Sequence, residues 1–166
     1  MKSLHVTLNE ATQSLVLCCQ FESDHDSLWC EICDKNLLIQ LAEILQSMDA
    51  RVCMITAYAL QEAYELVYHF DVKGEMVNIK LHINDKSVPS ITPLFKSADW
   101  TERELCEIYG IAILNHPNPQ RLFLDESIKD DVLKEYYSLS SAMNGAVSKD
   151  LWEKVKAEKG TTHEKY

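Results

Sequence analysis

The fold is decided by the stretch YELVYHFDVKGEMVNIKLHI, residues 64–83. Apolar and polar side chains alternate over Tyr64–Val72 and again over Val77–Ile83, which is the pattern of β-strands with one buried face. Lys73 and Gly74 lie between the two runs and supply the glycine that a tight turn needs. The stretch therefore predicts a β-hairpin.

The segments before the hairpin add further elements. Residues 37–48 predict a helix, because leucines recur on one face, whereas Arg51–Leu60 is apolar on both faces, as in an interior strand. Upstream, strand-like runs over Leu4–Leu8 and Ser14–Phe21 precede a polar stretch, Glu22–Ser27, that predicts a loop. Together these patterns predict an α+β fold. It has an antiparallel or mixed sheet of about four strands with helices packed on one face, plus an extended C-terminal segment.

The chain is predicted to divide near residue 125. Residues 1–125 would form the α+β domain, and residues 126–166 a C-terminal extension. Within the extension a helix is predicted over about residues 149–159, capped by Ser148 and ended by Gly160.

The net charge of −10 limits the classes of partner. Nucleic-acid binding needs a basic surface, and anionic lipid attracts clusters of Lys and Arg. No apolar run approaches the roughly 20 residues of a membrane span, and the first residues lack the pattern of a signal peptide. These features predict a cytoplasmic protein that binds no nucleic acid and reaches a membrane only through other proteins.

The sequence has six cysteines, and four of them raise the question of a metal site. Cys30 and Cys33 have C-x-x-C spacing, and with Cys18 and Cys19 they could give four thiolates to zinc or an iron–sulfur cluster. Adjacent residues on a strand point to opposite faces, which weakens this hypothesis. Free thiols in a reducing compartment are the favoured interpretation. A small Cys-ligated metal or iron–sulfur electron carrier stays as an alternative.

A second informative stretch is DWTERELCEIYGIAILNHPNPQR, residues 99–121. Thr101 and Glu104 fit a capping box, so a short helix is expected to begin there and to end at Gly110, which can adopt the left-handed conformation. Within this helix Arg103 can pair with Glu107 one turn later, which leaves other carboxylates without a partner. The surplus of acid predicts that this helix and the His-Pro-x-Pro loop after it meet a basic partner surface.

Candidate catalytic groups are few. His116 could relay protons, but the sequence offers it no paired acid or nucleophile, so a structural or docking role is favoured. Glu102 and Glu104 lie two positions apart and point to different faces of a helix. His69 and His82 could face one another across the hairpin, although solvated positions on the sheet are the simpler interpretation. No catalytic residue is therefore predicted.

The second stretch resembles the signature of the 30-kDa subunit family of complex I. That signature reads roughly W-x-E-R-E-x-x-D-x-x-G-I, then a few residues, then G-H-P-D-L-R-R. The stretch over residues 88–92 also resembles the V-P-S-x-T sequence that precedes this signature in the family. The similarity covers about residues 37–125. The matching positions of the signature are Trp100, Glu102, Arg103, Glu104, Gly110, Ile111, His116, Pro117 and Arg121.

Several positions depart from this pattern. Glu107 stands for the usual Asp, and Asn115 stands where Gly is common, Asn being tolerant of left-handed φ. Asn118, Pro119 and Gln120 replace D-L-R. These departures favour the stand-alone subunit of an energy-converting [NiFe] hydrogenase or formate hydrogenlyase complex. The 30-kDa subunit of a respiratory NADH-quinone oxidoreductase stays as an alternative.

The resemblance implies a non-catalytic subunit of the peripheral arm of a membrane-bound redox complex. Such a subunit docks on the [NiFe]-hydrogenase-like or 49-kDa large subunit, next to iron–sulfur subunits, on the cytoplasmic face of the cell membrane. It carries no cofactor, because the [NiFe] centre and the iron–sulfur clusters lie in its partners. Its role is to support electron transfer coupled to ion translocation. A free-standing adaptor with the same fold is also possible. The residues expected at the subunit interface are Trp100, Glu102, Arg103, Glu104, Glu107, Gly110, His116, Pro117 and Arg121.

Overall fold

The computed structural model describes residues 3–15, 20–60 and 63–124. Its three helices are α1 (Leu4–Ala11), α2 (Leu37–Ser47) and α3 (Asp99–Tyr109), the last entered through a 3-10 turn over Lys96–Ala98. The strands are β1 (Glu22–Asp24), β2 (Ser27–Ile32), β3 (Arg51–Ala59), β4 (Tyr64–Val72), β5 (Glu75–Ile83), β6 (Ser87–Pro89) and β7 (Ala112–Leu114). The α+β class is confirmed. The predicted extension, residues 126–166, and its helix over residues 149–159 lie outside the described residues.

The predicted hairpin forms the centre of a five-stranded mixed sheet with the order β1-β2-β5-β4-β3. β4 and β5 are antiparallel, and Lys73 and Gly74 turn the chain with φ angles of 56° and 93°. The Gly74 amide donates to Asp71 Oδ1 at 2.8 Å, which fixes the turn. β5 lies between β4 and β2, so its inward residues, such as Ile79 and Leu81, are fully buried.

β3 was predicted to be an interior strand, and this is wrong. In the described sheet it is an edge strand, bonded to β4. Val52 and Ile55 face the core, whereas Met54 and Tyr58 are large apolar side chains exposed to solvent. An apolar run on both faces predicted burial, but here the run belongs to an edge with an apolar outer surface.

The predicted strand over Leu4–Leu8 is wrong, because these residues lie in α1. Alternating Leu4, Val6 and Leu8 fits a strand, yet Leu4 and Leu8 are also one helical turn apart. Leu8 is fully buried and Val6 is exposed, as one face of a helix requires. Asn9 then connects α1 to the residue before β1, since its side chain accepts from the Phe21 amide at 2.9 Å and donates to the Phe21 carbonyl at 3.2 Å.

The predicted loop over Glu22–Ser27 contains β1 and the turn into β2. His25 makes this turn with a φ of 51°. β2 runs parallel to β5, with Cys30 opposite Ile79, and its alternate residues are buried. Two short strands from the N-terminal part of the sequence thus join the sheet.

One face of the sheet and the helices enclose the core. α2 contributes its buried face, and β4 and β5 contribute their inward residues. The Phe70 ring packs against Phe95 with 5.4 Å between centroids. The main buried members of this cluster are Leu8, Leu38, Leu41, Leu45, Leu66, Tyr68, Phe70, Ile79, Leu81 and Ile91.

The opposite face of the sheet carries polar pairs. His69 Nδ1 lies 2.7 Å from Asn78 Oδ1, and its Nε2 lies 3.1 Å from the Thr56 hydroxyl. His82 Nε2 lies 3.4 Å from Glu65. The two histidines thus have different partners, and the hypothesis that they face one another is wrong.

A two-stranded parallel ladder fixes the position of residues 99–121, the second informative stretch of the sequence. β6 pairs with β7, and the Ser90 amide donates to the Leu114 carbonyl at 2.9 Å. Between these strands the chain forms α3 and reverses at Gly110, whose φ of 60° confirms the predicted left-handed helix end. Asn115 also has a φ of 60°, as its tolerance of that region suggested. Residues 88–92, α3 and residues 115–121 therefore meet.

Candidate functional site

The meeting point is organised around the carboxylate of Glu102, which has no exposed surface. It accepts hydrogen bonds from the Ser90 hydroxyl at 2.6 Å, the Ile91 amide at 2.7 Å and the Thr92 hydroxyl at 2.7 Å. A buried carboxylate is stable only when donors replace its lost water, and here a single loop provides three. Glu102 therefore joins α3 to the segment after β6.

His116 closes the other side of this cluster, with a side chain that is 2% exposed. Its Nδ1 accepts from the Asn118 amide at 3.0 Å, so the proton of the neutral ring is on Nε2. Nε2 faces Thr92 Oγ1 at 3.4 Å, Glu102 at 3.5 Å and Asp99 at 3.6 Å. The imidazole thus connects the His-Pro loop to α3 and to the loop that binds Glu102.

Tyr68, on β4, lies close enough to the cluster to be affected by the charge of Glu102. Burial, and then the charge of Glu102, raise the pKa of the Tyr68 phenol well above its ordinary value, so it stays neutral. Its hydroxyl is buried without a hydrogen-bond partner among the described residues. Glu102, His116 and Tyr68 are acid and base groups with almost no exposed side-chain surface, which favours a structural role inside the molecule over a catalytic one.

A second cluster lies on the same helix. There Arg103 and Glu107 hold residues 120–124, which we call the strap. Arg103 donates to the Gln120 carbonyl and to the Arg121 carbonyl, each at 2.6 Å. The Glu107 carboxylate accepts from the strap amides of residues 122, 123 and 124 at 2.6 to 3.3 Å. The two side chains therefore bind the main chain of the strap through its carbonyls and its amides.

The electrostatics of Glu107 follow from these contacts. Burial by itself raises the pKa of its carboxyl. The strap amides and the charge of Arg121 act in the opposite direction and leave the pKa below its ordinary value of 4.5. Glu107 is thus an anion that the strap stabilises.

Three predictions about α3 are wrong. The helix begins at Asp99 rather than at a Thr101 cap, and the Thr101 hydroxyl donates to the Ala98 carbonyl at 3.0 Å. Arg103 forms its ion pair with Asp99, at 3.4 Å, on the preceding turn instead of with Glu107. The expected surplus of acceptors is also absent at Glu102 and Glu107, since both carboxylates are bound within the molecule.

The other predicted interface residues have mixed exposure. The Trp100 side chain is 65% exposed and Pro117 is also exposed, whereas Glu104, Gly110 and Arg121 are half-buried. Apart from Glu104, the acidic and basic members of the set make contacts inside the molecule. An interface role for the set stays a prediction, and for Glu102 it would be indirect, through the loop that it holds.

Sequence reasoning missed Ser90, Thr92 and the strap. Hydroxyls two positions apart after a proline were a usable signal, because both can donate to one carboxylate. The strap had no such signal, since Arg103 and Glu107 contact its main chain.

The cysteines do not form a metal site in the part of the sequence that the structure describes. Cys30 is a buried thiol, and Cys53 and Cys106 are exposed thiols. Cys33 is disulfide-bonded, so the prediction of free thiols is wrong there. Cys18 and Cys19 lie outside the described residues.

Two further observations bear on binding. The cavity between α3 and the loop after β7 has a volume of about 60 Å³ and includes Cys106, Ile113 and Pro119 in its lining. Within the described ranges, none of the helices has both the length and the apolar character of a membrane span.

Most of the described residues lie in a region that matches a known protein family. Residues 32–142 match the family described as the respiratory-chain NADH dehydrogenase 30-kDa subunit. An NAD(P)H-quinone oxidoreductase subunit of Synechococcus sp. (strain CC9605) is 37% identical over 101 residues, covering 55% of this chain and 54% of that protein. An NADH-quinone oxidoreductase subunit of Rhodopseudomonas palustris (strain TIE-1) is 37% identical over 82 residues, covering 48% and 40%. The chain thus spans about half the length, or less, of these curated relatives.

Solved structures share the fold. The trypsin-resistant fragment (1-134) of Nqo5 superposes with a TM-score of 0.55 at 20% identity, covering 69% of this chain and 98% of the fragment. One polypeptide of the membrane-bound sulfane sulfur reductase, an archaeal respiratory membrane complex, superposes with a TM-score of 0.69 at 13% identity, covering 86% and 91%. Identities this low show similarity of fold alone.

Proposed function

The chain belongs to the family of the respiratory-chain NADH dehydrogenase 30-kDa subunit, and from this premise we propose that it is a non-catalytic subunit of the peripheral arm of a membrane-bound redox complex. The observation that carries the proposal is the use of the signature residues. Glu102, Arg103 and His116 make contacts inside the molecule, and the side chains of Glu102 and His116 are 0% and 2% exposed. This use of the signature residues favours a role in supporting neighbouring subunits.

The signature residues give the surface its shape. Glu102 and His116 fix the exposed loop at Pro117–Pro119, and Arg103 with Glu107 fixes the strap. A loop that is fixed before binding loses less conformational entropy when a partner binds. This is the property expected of a subunit that braces a larger one.

The proposed partner is the [NiFe]-hydrogenase-like or 49-kDa large subunit, together with neighbouring iron–sulfur subunits. The [NiFe] centre and iron–sulfur clusters would lie in those partners, and the protein would reach the cytoplasmic face of the membrane through them. The hydrogenase type is supported by Asn118, Pro119 and Gln120, which are exposed and differ from the pattern of the respiratory enzyme. In this role the protein would support electron transfer coupled to ion translocation.

A second candidate is the equivalent subunit of a quinone-reducing complex. It is favoured by the names of the relatives from Synechococcus and Rhodopseudomonas, which are quinone oxidoreductase subunits. Both candidates have the same fold and the same kind of large partner. They differ in the metal that the partner would hold.

Purification of the tagged protein from its native cells under anaerobic conditions, with identification of the bound proteins, tests the proposal. The expected result is a stoichiometric large subunit with iron, and nickel if the complex is of the hydrogenase type. Iron without nickel in the same preparation would support the quinone-reducing candidate. A small species that carries stoichiometric iron or zinc by itself would instead support the Cys-ligated carrier, and a small metal-free species would support the adaptor.

A further inference from the structure

Phe123 is held on the surface in an unusual way. Its side chain is 66% exposed, although its amide donates to Glu107 at 3.0 Å within the strap. The neighbouring Leu122 and Leu124 are half-buried and bonded to the same carboxylate. The main chain of the strap is therefore fixed while a large aromatic ring points to solvent.

Trp100 lies on the same side of α3. Trp100, Arg103 and Glu107 follow each other at intervals of three and four residues, so they form one stripe on the helix. With a rise of about 1.5 Å per residue, Trp100 and Glu107 are about 10 Å apart along the axis. The strap covers the Glu107 end of this stripe, and the Trp100 ring stays 65% exposed at the other end.

The charged groups between the two rings are already bound. Arg103 pairs with Asp99 and with carbonyls of the strap, and Glu107 accepts from strap amides. Arg103 and Glu107 therefore add no free charge to the surface between Trp100 and Phe123, in a protein whose net charge is −10. Such a surface fits an apolar protein surface better than anionic lipid or nucleic acid, which attract basic residues.

We infer that Trp100 and Phe123 are paired aromatic anchors for one neighbouring protein subunit of the complex, which receives them in an apolar groove. The inference rests on the proposed function and adds to it the surface that makes the contact. Interfaces owe most of their affinity to a few buried aromatic or Arg side chains, and anchors on a fixed main chain lose little entropy on binding. Arg103 and Glu107 act here as positioning residues, because they hold the strap and leave the contact to the rings.

The test uses the tagged full-length protein, purified from native cells, with the substitutions Trp100→Ala, Phe123→Ala and both together. Tyr58→Ala is the matched control, since Tyr58 is 58% exposed on the edge strand β3. We expect the double variant to retain at least about tenfold less of the other subunits, whereas Tyr58→Ala retains them all. Urea unfolding of each variant should match the wild type, because the removed rings are exposed.

Three results would overturn the inference. The first is normal assembly of the double variant, and the second is an equal loss in Tyr58→Ala. The third is a wild-type protein that dimerises or binds anionic vesicles through these rings, because the occupant would then be a second copy or lipid. Failure of the proposed function looks different, since the wild-type protein would then recover no redox subunits at all.

A fifth variant, Glu107→Gln, separates the positioning of the rings from their contact with the partner. Glu107→Gln keeps both rings but removes the charge that holds the strap amides. We expect it to weaken retention of the other subunits less than the double variant does, while amide exchange of the strap accelerates. Unchanged exchange in this variant would contradict the positioning role.

Discussion

Glu102 Oε2 lies 3.5 Å from His116 Nε2, and both side chains are closed off from solvent. Ser90, Ile91 and Thr92 also donate hydrogen bonds to this carboxylate. Because one face of the pair meets the loop after β6 and the other the loop after β7, it fixes two surface loops from inside. A buried pair of side chains thereby helps to determine the shape of the proposed docking surface.

The contribution of one donor to this joint can be measured with a matched pair of substitutions. Thr92→Val keeps the shape of the side chain but removes the hydroxyl that donates to Glu102 at 2.7 Å. We expect a loss of roughly 2 kcal/mol in the free energy of unfolding, as for a hydrogen bond to a buried charge. Thr101→Val removes a partly exposed hydroxyl on α3, and its effect should stay within about 0.5 kcal/mol in the same urea titration. Equal effects of the two substitutions would contradict the importance of the Glu102 cluster.

Two His–Glu pairs have nearly equal N···O distances but should differ in coupling energy, because one is buried and the other is exposed. The Glu102–His116 pair at 3.5 Å is buried, whereas Glu65 and His82 lie 3.4 Å apart on the open face of the sheet, 23% and 40% exposed. Double-mutant cycles with Glu→Gln and His→Gln substitutions should give a coupling of about 1 kcal/mol or more for the buried pair. The exposed pair should give less than about 0.5 kcal/mol, because solvent screens it. A larger coupling on the open face would show that the buried pair is not a joint.

The sequence predicted the hairpin and α2 because their patterns are regular. β5 and the inward face of α2 repeat apolar residues at the period of their own element, and tertiary packing uses those residues as predicted. The predictions for α1 and β3 failed for different reasons. Leu4–Leu8 fits two periods at once, and the apolar run of β3 does not say on which side a neighbouring strand lies.

The candidate site was predicted in position but not in its contacts. The resemblance located Glu102, Arg103 and His116, and the surplus of acid predicted that the helix meets a basic partner surface. The spacing of the Ser90 and Thr92 hydroxyls could suggest a shared acceptor. It could not identify that acceptor as Glu102, within 2.7 Å, because the β6–β7 ladder that brings them together is long-range. The Glu107 contacts were hidden for a similar reason, since any residue except proline supplies the amides that they use.

The end of α3 depends on the left-handed conformation of Gly110, with a φ of 60°. Gly110→Ala should cost about 1 kcal/mol, because a Cβ is strained in this region. Gly110→Asn should cost less, since Asn tolerates left-handed φ, as Asn115 does at the same angle. Thermal unfolding of the three proteins checks this order, and a more stable Ala variant would contradict it.

The strap gives a prediction about pH. The pKa of Glu107 lies below 4.5 in the folded protein, so the folded state binds this proton less readily than the unfolded state. The stabilisation is therefore fully present above about pH 4.5 and is lost as the pH falls through the folded pKa. Glu107→Gln cannot titrate and should be less stable than the wild type by about 1–2 kcal/mol near neutral pH.

The difference in unfolding free energy between wild type and Glu107→Gln should stay constant down to about pH 5 and shrink below about pH 4.5. Urea titrations across this range measure it. Glu104→Gln is the control, because Glu104 is half-buried on the same helix, outside the contacts with the strap. A difference that does not change with pH would mean that the Glu107 charge does not hold the strap.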